Sequence, residues 1–77
     1  MITSGQIRAA RALLDWTVQI LANHSNVGFT TIVRMESGEG VPPSQAKALD
    51  VVRKSLEKAG IEFIGSPDDA PGVRLRK

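Results

Sequence analysis

Gly38-Glu39-Gly40-Val41-Pro42-Pro43 is the segment that most constrains how this chain folds. Two glycines and then two prolines exclude a continuous helix or a central strand across it. An element that forms before this segment must end there, and the next must start afresh. We therefore expect a linker at residues 38–43 joining two parts of one domain. The chain has 77 residues, near the lower limit at which a single core suffices, so one domain spanning 1–77 is expected.

Before the linker the pattern is helical. Thr3 and Gln6 have the spacing of a capping box, and Ile7, Ala10 and Leu14, widened by Leu13, form the apolar stripe of a first helix. Arg8 and Arg11 fall beside or opposite that stripe. Asp15-Trp16 reads as a bend, with Trp16 as a buried anchor. Thr17 is a good N-cap for a short second helix with Val18, Leu21 and Ala22 on its apolar edge. Asn26 tolerates the left-handed backbone that a sharp turn needs, and Val27 plugs the core behind it. A third helix is expected from about Phe29 to Ser37, with Ile32 and Met35 inward, Thr30, Val33, Arg34 and Ser37 outward, and Gly38 as C-cap. Its run of Thr30, Thr31, Ile32 and Val33 is a weak helix former, so packing must hold it.

After the linker, Leu49, Val52, Leu56 and Ala59 share one face of a fourth helix expected from about Ser44 to Ala59, stopped by Gly60. Two short antiparallel strands are then expected at about 61–64 and 73–76, where Ile61/Phe63 and Val73/Leu75 alternate with polar residues. The turn-forming residues 65–72 read as a loop between them. The expected fold class is mainly α: four helices plus a two-stranded C-terminal ribbon. A ribbon of two strands is marginal in water, so it must dock on the helices or pair with a second chain.

Several function classes fit poorly. Apolar stretches such as Ala12-Leu13-Leu14 fall far short of the ~20 residues of a membrane helix, and Met1-Ile2-Thr3-Ser4 opens no signal-peptide pattern; a cytoplasmic protein is expected. With one histidine, no cysteine and no tyrosine, no nucleophile–base pair or metal set can be assembled, and no enzyme, metal site or cofactor is expected. Asp68-Asp69 reads as turn chemistry, and Gly38-x-Gly40 lacks the strand and third glycine of a phosphate cradle. The net charge of +2 is uneven: Arg74, Arg76 and Lys77 close the chain without an acid, whereas Arg34 and Glu36 are the only formal charges in residues 17–38.

Residues 17–38 resemble the helix-turn-helix of Cro/repressor-type (XRE family) DNA-binding proteins. Thr17, Leu21-Ala22, Val27, Ile32, Glu36 and Gly38 carry the match at the family's spacing. Val41-Pro42-Pro43, Ala59-Gly60-Ile61-Glu62-Phe63 and Pro71–Lys77 are similar to a small bacterial subgroup with a C-terminal β-ribbon. Val18, Asn26 and Gly28 stand where the family usually has Gln, Gly and Ser or Thr, and Ile20 where a polar residue is common.

The resemblance implies a sequence-specific, repressor-like transcriptional regulator of double-stranded DNA, acting as a homodimer. By its docking geometry the third helix enters the major groove, with Phe29, Thr30, Val33 and Arg34 reading bases. Phe29 and Val33 would touch thymine methyls, and Arg34 a guanine or a phosphate. Thr17, Val18, Gly28 and Thr31 would lie along the DNA backbone, near helix N-termini whose free N–H groups suit phosphate. Arg11 and Glu36 would form a structural ion pair. Because the motif is neutral, salt dependence should be shallow. The dimer surface would involve the last helix with the strands, or strand pairing across chains. The alternative is a protein-interaction module on the same fold, an antitoxin or accessory partner, suggested by the apolar Val18 and Ile20 on the second helix.

Overall fold

The computed structural model describes residues 1–42 and 45–76. Four helices lead into a hairpin: α1 Ser4–Leu13, α2 Val18–Ser25, α3 Phe29–Glu36, α4 Ala46–Lys58, β1 Ile61–Ser66 and β2 Asp69–Leu75. The core is drawn from every helix and the first strand. Ile7, Leu21, Ile32, Met35, Val52 and Leu56 are fully enclosed, with Ile2, Ala10, Ala22, Leu49 and Ile61 around them. No helix among the described residues is long and apolar enough to cross a membrane.

The helix ends obey local chemistry. The capping box of α1 is complete: Thr3 N–H donates to Gln6 Oε1 (2.8 Å) and Gln6 N–H to Thr3 Oγ1 (3.1 Å). Asp15, with φ of 58°, turns the chain between α1 and α2. Asn26 adopts the left-handed conformation after α2 (φ 57°, ψ 30°). The third helix ends at Glu36, one residue earlier than expected, because Ser37 is already extended (φ −88°, ψ 129°) and Gly38 comes next at φ 101°. The fourth begins at Ala46 with Gln45 as N-cap; the expected start at Ser44 lies outside the described residues. Trp16 is half-buried and not the enclosed anchor expected. Its ring packs on the edge of the core and stacks on His24, with centroids 4.2 Å apart.

The hairpin is longer than its sequence suggests. The residue pattern predicts strands at 61–64 and 73–76 around an eight-residue loop; the ladder instead continues to Ser66↔Asp69, leaving only Pro67-Asp68 as the turn. Between the pairs Ile64↔Gly72 and Ser66↔Asp69, Ala70 and Pro71 stand opposite Gly65 alone, which is a β-bulge. The bulge accommodates Pro71 without a missing ladder donor. Gly65 is required by this geometry: its φ is 75°, and a Cβ there would lie 2.4 Å from the Ala70 carbonyl oxygen. At the other end β2 stops at Leu75, although Arg76 N–H still donates to Gly60 O (2.8 Å).

Ile61, Phe63, Val73 and Leu75 face the helices, as their alternation predicts. Polar bonds lock the ribbon in place. The Gln6 side chain that caps α1 through Oε1 uses Nε2 to donate to Gly72 O (2.8 Å) and Ile64 O (3.2 Å), a pair of residues facing each other across the ladder. One buried carboxamide thus joins the start of α1 to both strands.

Replacing Gln6 with alanine should destabilise the fold by about 2–3 kcal/mol in urea unfolding, since it removes a cap and both hydrogen bonds from α1 to the ribbon. Thr3→Ala removes the cap alone and should cost about 1 kcal/mol. Equal losses for the two variants would show that the ribbon does not depend on Gln6.

Candidate nucleic-acid interface

α2 and α3 cross behind a turn built by three small or polar residues. Ala22, buried at the crossing, has no side chain beyond Cβ to hold the helices apart. Ser25 Oγ donates to Leu21 O (2.8 Å) and accepts from Val27 N–H (3.3 Å), bracing the turn at Asn26. Val27 is half-buried against the core.

α3 buries Ile32 and Met35. At about 100° per residue, Phe29, Val33, Thr30 and Arg34 fall within an arc of roughly 140° on the opposite side. All four are exposed, Phe29 by 49% and Val33 by 43%. Thr31 is half-buried at the edge of this face. The four residues expected to read bases therefore share one outward surface. The helix begins at Gly28, which supplies no side-chain cap. The first-turn N–H groups of Phe29, Thr30 and Thr31 have no intrahelical acceptor and remain available. At α2, Thr17 Oγ1 accepts from Ile20 N–H (3.2 Å), while the half-buried Val18 side chain packs against the core. Ile20 remains at the surface, 36% exposed.

The far end of α3 is fastened to α1. Arg11 grips Glu36 with two hydrogen bonds, Nε to Oε2 and Nη2 to Oε1, both 2.9 Å, and its Nη1 donates to Trp16 O (2.9 Å). The carboxylate is 8% exposed, so this pairing satisfies a charge otherwise costly to bury. Hydrogen bonding to Glu36 raises the Arg11 guanidinium above its ordinary pKa. Arg8 acts alongside it, a role that the sequence pattern does not assign. Its guanidinium donates to the carbonyls of Glu36 and Gly38, the latter at 3.2 Å, and so caps the end of α3. The signal was its place one turn before Arg11 on the same helix.

Several other cations are occupied as well. Arg53 lies between Asp50 (2.7 Å) and Glu57 (3.0 Å), and Lys54 reaches Asp50 (3.0 Å). Arg74 (2.5 Å) and Arg76 (3.4 Å) converge on Glu62. Hydrogen bonding from Arg74, aided by the charge of Arg76, holds the Glu62 carboxyl below its ordinary range. Arg34, like Lys47 and Lys58, makes no ion pair among the described residues. A groove of about 620 Å³ lies elsewhere, between the N-terminus, α4 and β1. No family model matches the chain, and no curated protein matches it.

Removing Arg11 should unfasten α3. Arg11→Ala should cost about 3 kcal/mol in urea unfolding, because a buried carboxylate loses its partner. A loss below about 1 kcal/mol, in the range of an exposed pair, would show that packing alone holds the helix.

Proposed function

We propose that this chain is a sequence-specific double-stranded DNA-binding protein, a repressor-like transcriptional regulator of the XRE type, acting in the cytoplasm as a homodimer without catalysis. One observation carries the reading: the outward face of α3 holds Phe29, Thr30, Val33 and Arg34 free of the core, while Arg11 and Glu36 fix the helix from behind. Such a face suits the major groove, whose width admits one helix. The uncapped first turn of α3 and the start of α2 at Thr17 and Val18 offer N–H groups to phosphates on either side. Arg34 is the side chain on that face able to form a bidentate pair with guanine. A single helix of this length covers one half-site. A second copy related by a two-fold axis would place the other roughly 34 Å away.

A second reading, a protein-interaction module on the same fold, draws on Ile20. This exposed side chain lies on α2. An exposed apolar side chain there fits a protein partner better than a phosphate backbone.

Selection of bound duplexes from a random pool separates the two. DNA reading predicts recovery of a palindromic site, on which Arg34→Ala weakens binding by about 1–3 kcal/mol. Failure of the native protein to retard any duplex at low salt would leave the interaction module.

A further inference from the structure

The chemistry of the α3 face restricts what it can recognise in a groove. Bidentate reading of adenine requires Asn or Gln, and α3, Phe-Thr-Thr-Ile-Val-Arg-Met-Glu, contains neither. The carboxylate that would accept from the amino group of cytosine, Glu36, is buried and held by Arg11, which leaves the Thr30 hydroxyl as a short polar group with no preference among bases. Arg34 can take guanine. The largest exposed groups left are the Phe29 ring and the Val33 isopropyl group, one helical turn apart. Such groups cannot hydrogen-bond to a base edge, and the apolar feature the major groove presents to them is the methyl group on C5 of a pyrimidine. Their separation along the helix axis, about 6 Å, corresponds to roughly two base-pair steps.

We infer that α3 discriminates by the pyrimidine C5-methyl group, so that at two positions of the half-site 5-methylcytosine can replace thymine. This rests on the duplex-binding reading and specifies its ligand. The substitution changes the paired purine from adenine to guanine. That exchange removes no carboxamide–adenine pair, and comparing 5-methylcytosine with cytosine opposite the same guanine isolates the methyl group, whose loss removes the contact itself. Unmodified cytosine and uracil should therefore behave alike, and both unlike thymine.

The experiment uses the native chain and the duplex recovered from the random pool, resynthesised with uracil, cytosine or 5-methylcytosine at each thymine in turn, opposite the matching purine. At two positions, affinity should fall about fourfold on loss of the methyl group, the transfer preference of one methyl. It should return with 5-methylcytosine. Phe29→Ala and Val33→Ala should each abolish the methyl dependence at one position, while Phe29→Leu, which keeps an apolar side chain, should retain it. Thermal melting checks that the variants remain folded. Equal binding of thymine and uracil duplexes would overturn this inference and leave the duplex-binding reading standing. So would methyl dependence that persists in both alanine variants. Failure to recover any duplex would overturn both.

Discussion

Glu36 is a carboxylate at the end of a short helix, buried to 8% exposure, and the arrangement of the first three helices depends on how it is paired. α3 has an unbroken β-branched run from Thr30 to Val33 at its centre, and its N-cap has no side chain. Its own propensity does not hold it. Ile32 and Met35 anchor one side in the core, and Arg11 fixes the carboxylate through a bidentate fork. Arg8 adds hydrogen bonds to the last carbonyls, complementing the negative end of the helix dipole. Two arginines of α1 thus position a helix that carries almost no polar support of its own. The outward face is left to Phe29, Thr30, Val33 and Arg34, with Arg34 as its one formal charge.

The C-terminal ribbon is held by a second polar link of the same kind. Gln6 lies in the first turn of α1 and bonds to both strands across a pair of facing residues. Each end of α1 therefore does two jobs: its start caps itself and receives the hairpin, and its end receives α3 and the turn at Trp16. This economy fits a chain too short to hold its parts together by apolar burial alone.

Much of this was legible in the sequence where one local signal decides the outcome. The Thr3/Gln6 box, Thr17 before α2, Asn26 after it and the alternation at Ile61/Phe63 and Val73/Leu75 each act within a few residues. The hairpin turn was harder. Gly65, Pro67, Pro71 and Gly72 look like a loop by composition, but a bulge with Gly65 opposite Ala70 and Pro71 keeps the ladder running. Nothing in residue type separates a bulge from a loop, because both use the same turn formers. The long-range roles of Arg8 and Gln6 were hidden for another reason: their partners lie 28 to 66 residues away, and periodicity carries no information about such contacts. The outward set of α3 was legible because burial of Ile32 and Met35 fixes what is left outside.

Electrostatics explain why the positive net charge says little about the α3 face. Arg8 and Arg11 are spent on α3, Arg53 and Lys54 on acids of their own helix, and Arg74 and Arg76 on Glu62. The α3 face retains Arg34 and backbone donors, so the proposed duplex reading rests on shape and apolar contact more than on charge. The most direct test of that account is to monitor the backbone amide resonances of the native protein by NMR as a short duplex is added at low salt. The account predicts that the largest shifts fall at Thr17–Val18 and Gly28–Arg34, with little change along α4 and the ribbon. Shifts concentrated on α4 and the hairpin, with α3 undisturbed, would contradict it.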